Sequence, residues 1–161
     1  SIAYFTVQSN ILVLLFLLYA LICSHSTRIH IILRGTVLVS ILVTGLVFHI
    51  ILVPYYPELF AEGVSFRHHL THTIAPLGFI LDWLLFDQKR LMQFKHLKYW
   101  LIYPFAYWLV TMVRGSFSAV YPYFFMDLNL LGFSFVALWF IIMTIIFTLL
   151  GLLIILIDNK R

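Results

Sequence analysis

The chain reads as an all-α, polytopic transmembrane helix bundle, and three observations predict that class. Five long apolar runs recur along its 161 residues. The composition is 63% hydrophobic and only 10% charged, with a mean hydropathy of +1.06. Basic residues are confined mainly to short segments between the runs. A soluble domain of this size lacks the interior to hide so much apolar surface. One bundle implies a single transmembrane domain over residues 1–161, with five spans in this chain.

A span needs roughly 20 apolar residues. The first run covers residues 4–23 and is followed by a polar stretch, 24–30. The second covers 35–53 and stops at Pro54. A loop, 55–67, contains Pro57, Glu58, Glu62 and Gly63. The third run covers about 68–86, and a basic loop, 87–98, follows it. The fourth, 99–113, is short and contains Pro104. The aromatic loop 114–132 has the character of a partly re-entrant segment. The fifth run covers 133–157 and ends in Asp-Asn-Lys-Arg. No repeat or low-complexity linker interrupts the series.

The charges orient the bundle. Arg28, Arg34, Lys89, Arg90, Lys95, Lys98, Lys160 and Arg161 fall on one side, and Arg67 and Arg114 on the other. Positively charged loops stay in the cytoplasm, so the first side and the C-terminus are expected inside. The cell membrane is the expected location. Ser1 is then expected outside, and an additional helix expected before it would make six spans in the full-length protein. No basic segment precedes the first run, so it does not read as a signal peptide. Tyr55, Tyr56, Tyr121 and Tyr123 fit an outer aromatic belt, and Tyr99 and Trp100 an inner one. The net charge of +4 resides in these loops and does not point to nucleic acid. Cys23 stands alone, which excludes an internal disulfide and reads as a small packing residue.

Polar residues gather near the basic-poor side: Thr6, Gln8, Asn10, His49, His68, His69, His72, Arg114 and Asp127. Polar groups at membrane depth are expensive and therefore functional candidates. The third run opens Arg67-His-His-Leu-Thr-His-Thr-Ile-Ala-Pro. Helical spacing places His72 on a face with His68 and His69. Pro76 has no N–H, so the carbonyl of His72 loses its helical partner and the helix is expected to open there. In the first run, Thr6 and Asn10 share a face at i and i+4. A hydroxyl close to an imidazole is the minimum for nucleophilic catalysis. The competing reading is that Thr6 packs helices and that the histidines bond loop backbone. Arg114 suits a carboxylate or phosphate, or an interface anchor. Asp82 is assigned to packing and His49 to hydrogen bonding within the bundle. The histidine spacing matches no specific zinc motif, so no metal is expected.

Tyr4-Phe-Thr6, Arg34, His69-Leu-Thr-His72-Thr73 with Pro76, and Val120-Tyr-Pro122 occur in that order. This series resembles the family of the androgen-induced gene product and the androgen-dependent TFPI-regulating protein, most of all its shorter microbial relatives. The resemblance covers nearly the whole chain. It departs from the family pattern at His68, where an Asn is expected, and in the spacing of Asn10 and Pro76. It implies a membrane hydrolase of fatty acid esters of hydroxy fatty acids, with a Thr nucleophile and a His base. By motif position these are Thr6 and His72.

The expectation is thus a lipid-ester hydrolase with a pocket toward the outer leaflet. Thr6 attacks, His72 is base and then acid, Asn10 or His69 serves the oxyanion, and Arg114 holds a substrate carboxylate. The substrate is a membrane lipid or acyl ester, and no cofactor is needed. The alternative is a non-enzymatic protein that binds or transports a lipid or small acid through the same pocket. A third reading is a structural membrane subunit.

Overall fold

The computed structural model describes residues 2–22 and 27–160. Ser1, Cys23, Ser24, His25, Ser26 and Arg161 lie outside them, and with them the packing role expected of Cys23. The described residues are helical, with no strand among them. Three helices are long and apolar enough to cross a membrane: Phe5–Ile22 (α1), Arg28–Tyr55 (α2) and Leu128–Lys160 (α6). A helical stretch over 66–86 (α3), a short helix Phe94–Trp100 (α4) and Ile102–Ser118 (α5) complete the fold.

The core forms around α2. In its most apolar stretch 56% of the residues are buried, against 17% in α1 and 28% in α6. Leu38, Val39, Ile41 and Val43 are buried on it. By contrast, α1 presents Leu14, Leu18, Leu21 and Ile22 outward. Exposed apolar surface of this extent suits lipid rather than water.

Helix boundaries differ from the apolar runs because capping extends helices into polar sequence. α2 starts at Arg28, where the Thr27 hydroxyl accepts from the His30 N–H. Within the basic loop, Gln93 and His96 form a reciprocal capping box that starts α4. Trp100 then inserts between α2 and α6 and is fully buried, rather than lying in an aromatic belt. Gly35 makes room for it: a Cβ there would sit 2.0 Å from the indole. The fourth run becomes α5 at 102–118, shifted toward the aromatic loop. One turn residue, Leu101, separates it from α4, where Pro104, lacking an N–H, leaves the Trp100 carbonyl without its helical donor. After that loop α6 resumes early, at Leu128, and bends at Gly132, whose φ of 73° suits glycine.

Two wide π turns lie opposite one another near one end of the bundle. One covers Phe48–Leu52 in α2 and the other Leu70–Ile74 in α3. Each is followed two residues later by a proline, Pro54 or Pro76. A proline removes an N–H from the ladder, and a π turn is one way a helix absorbs the mismatch. The turns are joined by ring stacking of Phe48 on His72 and by a His49–Thr73 hydrogen bond of 2.9 Å.

Candidate active site

The π turn of α3 carries His72 inward, where it is 7% exposed. The start of α1 brings Thr6 to it, with Thr6 Oγ1 3.2 Å from His72 Nε2. The other ring nitrogen fixes the tautomer. His72 Nδ1 lies 3.0 Å from the His68 carbonyl oxygen, which can only accept. Nδ1 therefore carries the hydrogen, and Nε2 presents its lone pair to the Thr6 hydroxyl. Thr71 Oγ1, 2.9 Å away, shares the Nδ1 hydrogen while donating to the Arg67 carbonyl. Phe48 stacks on the imidazole with ring centres 4.0 Å apart, which shields one face from solvent.

The backbone behind this pair is tightly tied. Asn10 Nδ2 donates to the carbonyls of Thr6 (2.8 Å) and Thr71 (3.2 Å). It thus holds the two segments that carry Thr6 and His72, and both amide hydrogens are engaged. Ser9 is fully buried and bridges α1 to α2 through Thr44 at 2.8 Å. Gly45 lets α3 approach α2: a Cβ there would be 2.8 Å from the carbonyl oxygen of His72.

Tyr123 is the participant that sequence reasoning missed. Its hydroxyl is 3.4 Å from Thr6 Oγ1 and accepts from the Thr6 N–H at 3.3 Å. The phenolic hydrogen is left for the Thr6 oxygen. Instead of joining an outer belt, Tyr123 turns into the bundle and stacks on the buried Phe125. The Tyr-Pro-Tyr sequence alone does not separate these two placements.

His69 and Arg114 stand apart from this pair. His69 is exposed, and no hydrogen bond among the described residues joins it to Thr6 or His72. Arg114 lines a neighbouring groove with Ile2, Gln8 and Tyr103, not the cavity at Thr6.

That cavity is small, about 50 Å³. Its walls include Val47, Leu52, Trp108, Met126 and Phe147, and Thr6 supplies a rare polar edge. It shares Pro104, Trp108, Met143 and Phe147 with a cleft between α5 and α6 that continues toward Lys98.

A second polar cluster occupies the opposite end. Buried Arg34 donates from Nε to Asp87 (2.7 Å) and from Nη1 to Asp82 (2.6 Å), with a further bond from Nη2 to Asp87. Its guanidinium lies between the rings of Phe16 and Phe79. This clasp gives Asp82 an ion-pair partner and ties α2 to the end of α3. The hydroxyl–imidazole pair and the ion-pair clasp are thus separated along the bundle.

No family model, curated protein or solved structure matches this chain.

Proposed function

We propose that the protein is an integral membrane lipid-ester hydrolase using a Thr6–His72 dyad. In this reading α1, α2, α3, α5 and α6 are five spans of the cell membrane, with the C-terminus in the cytoplasm and the dyad toward the outer side. The single observation that supports catalysis most is the oriented pair. Nε2 faces the hydroxyl at 3.2 Å while the His68 carbonyl secures Nδ1–H. The motif resemblance to membrane Thr hydrolases points the same way, toward fatty acid esters of hydroxy fatty acids.

The chemistry balances as acyl transfer. Thr6 Oγ1 attacks the ester carbonyl carbon as its proton passes to His72 Nε2. The Tyr123 hydroxyl donates to the developing oxyanion. The imidazolium returns the proton to the departing alkoxide and leaves an acyl ester on Thr6. Water then attacks with His72 as base, and the acid departs as Thr6 recovers its proton. The carbonyl of His68 plays the orienting part that a carboxylate plays in a triad. The first acyl carbons enter the small apolar cavity, and the rest of the chain lies along the α5–α6 cleft toward lipid.

The test is hydrolysis of fluorogenic butyryl and palmitoyl esters by the protein in lipid nanodiscs. Wild type is expected to turn over the palmitoyl ester in preference. Thr6→Ala and His72→Ala should each reduce turnover by about 10³-fold or more. Folded wild type without turnover favours lipid binding alone, and full turnover in Thr6→Ala removes Thr6 as nucleophile.

A further inference from the structure

The basic end of the molecule contains a groove that the hydrolase reading leaves unused. It is lined by Arg28 and Ile31 of α2, Arg90, Leu91 and Gln93 of the connecting segment, and Lys95 and His96 of α4. Arg28, Arg90 and Lys95 are exposed there, and His96 is buried. Every salt bridge among the described residues involves Arg34 or His30. The three groove cations therefore converge without a carboxylate partner. The neighbouring charges of Lys95 and Arg28 add to burial, the larger cause, in lowering the pKa of His96.

The groove is built rather than incidental. Arg90 adopts a left-handed conformation with φ 62°, uncommon outside glycine. Fully buried Asp158 of α6 maintains it from both sides, accepting from the Arg90 N–H with its carbonyl and from the Met92 N–H with its carboxylate. Arg28 is braced by a 3.0 Å bond to the Tyr99 hydroxyl. His96 Nδ1 accepts from the Gln93 N–H, so in the neutral ring Nε2 carries the hydrogen. Ile31 and Leu91 give the groove an apolar floor beside its cations.

We propose that this groove binds the phosphate of an anionic phospholipid headgroup. Arg28, Arg90 and Lys95 supply the positive charge, and Ile31 and Leu91 meet the glycerol and upper acyl carbons. Phosphate matches the convergent guanidinium and ammonium donors. The apolar floor favours a lipid over free phosphate, and basic pockets of this kind between membrane helices take anionic headgroups. The site is independent of the dyad and stands whether or not Thr6 is a nucleophile.

The test is native mass spectrometry of the full chain with equimolar phosphatidylglycerol and phosphatidylcholine. Wild type should retain phosphatidylglycerol preferentially. Arg28→Gln/Arg90→Gly/Lys95→Gln should weaken that retention about a hundredfold, since each cation near the surface contributes about fivefold. Glycine at position 90 keeps the left-handed turn accessible. Lys95→Gln alone, at an exposed position, should cost about fivefold and covers the case in which the triple variant does not fold. Lys160→Gln removes a charge from the same end outside the groove and should leave retention unchanged. Equal retention of both lipids by wild type overturns the proposal, as does undiminished retention in Lys95→Gln. Full displacement by excess inorganic phosphate overturns the lipid as the source and leaves a phosphate site.

Discussion

At the residue scale, the chemistry depends on which atoms face each other around Thr6. The oxygen of Thr6 lies between an imidazole lone pair and a phenol, a different setting from that of a threonine that only bonds its own helix. Tyr123→Phe separates the two functions of that phenol. Loss of an oxyanion donor should lower kcat about 10²–10³-fold with little change in KM, as measured on a long-chain ester. A changed melting temperature with unchanged kcat would instead assign Tyr123 to packing. Thr6 and His72 were legible as candidates through the ordered short motifs that contain them, and His72 also through its spacing to His68, His69 and Pro76. Spacing alone reads Thr6 as a helix-packing residue. Tyr123 was not, since tyrosines at helix ends ordinarily sit at the membrane interface. Asn10 was legible as a polar residue, but its bonds to two backbone carbonyls depend on tertiary packing.

At the element scale, the paired π turns place the site. Sequence shows the cause at Pro76, whose missing N–H frees backbone at His72. It does not reveal that Pro54 accompanies a matching turn in α2, because the partner turn becomes meaningful only once the helices are packed. Pro76→Ala restores a donor and allows the turn to tighten, rotating His72 relative to Thr6. The expected outcome is an equal or higher melting temperature with at least tenfold lower turnover, since small misplacements of reacting groups cost about 10²-fold. Unchanged turnover would show that the π turn is not needed to aim His72. Helix limits were less legible than helix existence. Apolar runs mark what lipid or core must cover, whereas Thr27 and the Gln93–His96 box decide where helices begin.

At the scale of the whole molecule, the two ends carry different chemistry. One end holds the hydroxyl–imidazole pair above an apolar cavity, and the other holds the Arg34 clasp and the basic groove. The charge asymmetry that implies orientation was legible from loop composition alone. The clasp was not: Arg34 and Asp87 both counted as loop charges until packing brought them together between two phenylalanine rings. Orientation is testable with single cysteines in a Cys23→Ser background. In intact cells, Glu62→Cys should react with a membrane-impermeant maleimide and Lys89→Cys should not. Reaction of both, or of Lys89→Cys alone, contradicts the proposed sidedness.

The most direct measurement is covalent capture of Thr6 by a fluorophosphonate, read by peptide mass mapping of the protein in nanodiscs. Wild type should carry the adduct on the peptide containing Thr6, with Thr6→Ser labelled as well and with Thr6→Ala and His72→Ala unlabelled. A well-folded wild type that takes no label, or takes it on a residue other than Thr6, contradicts a Thr6–His72 nucleophile.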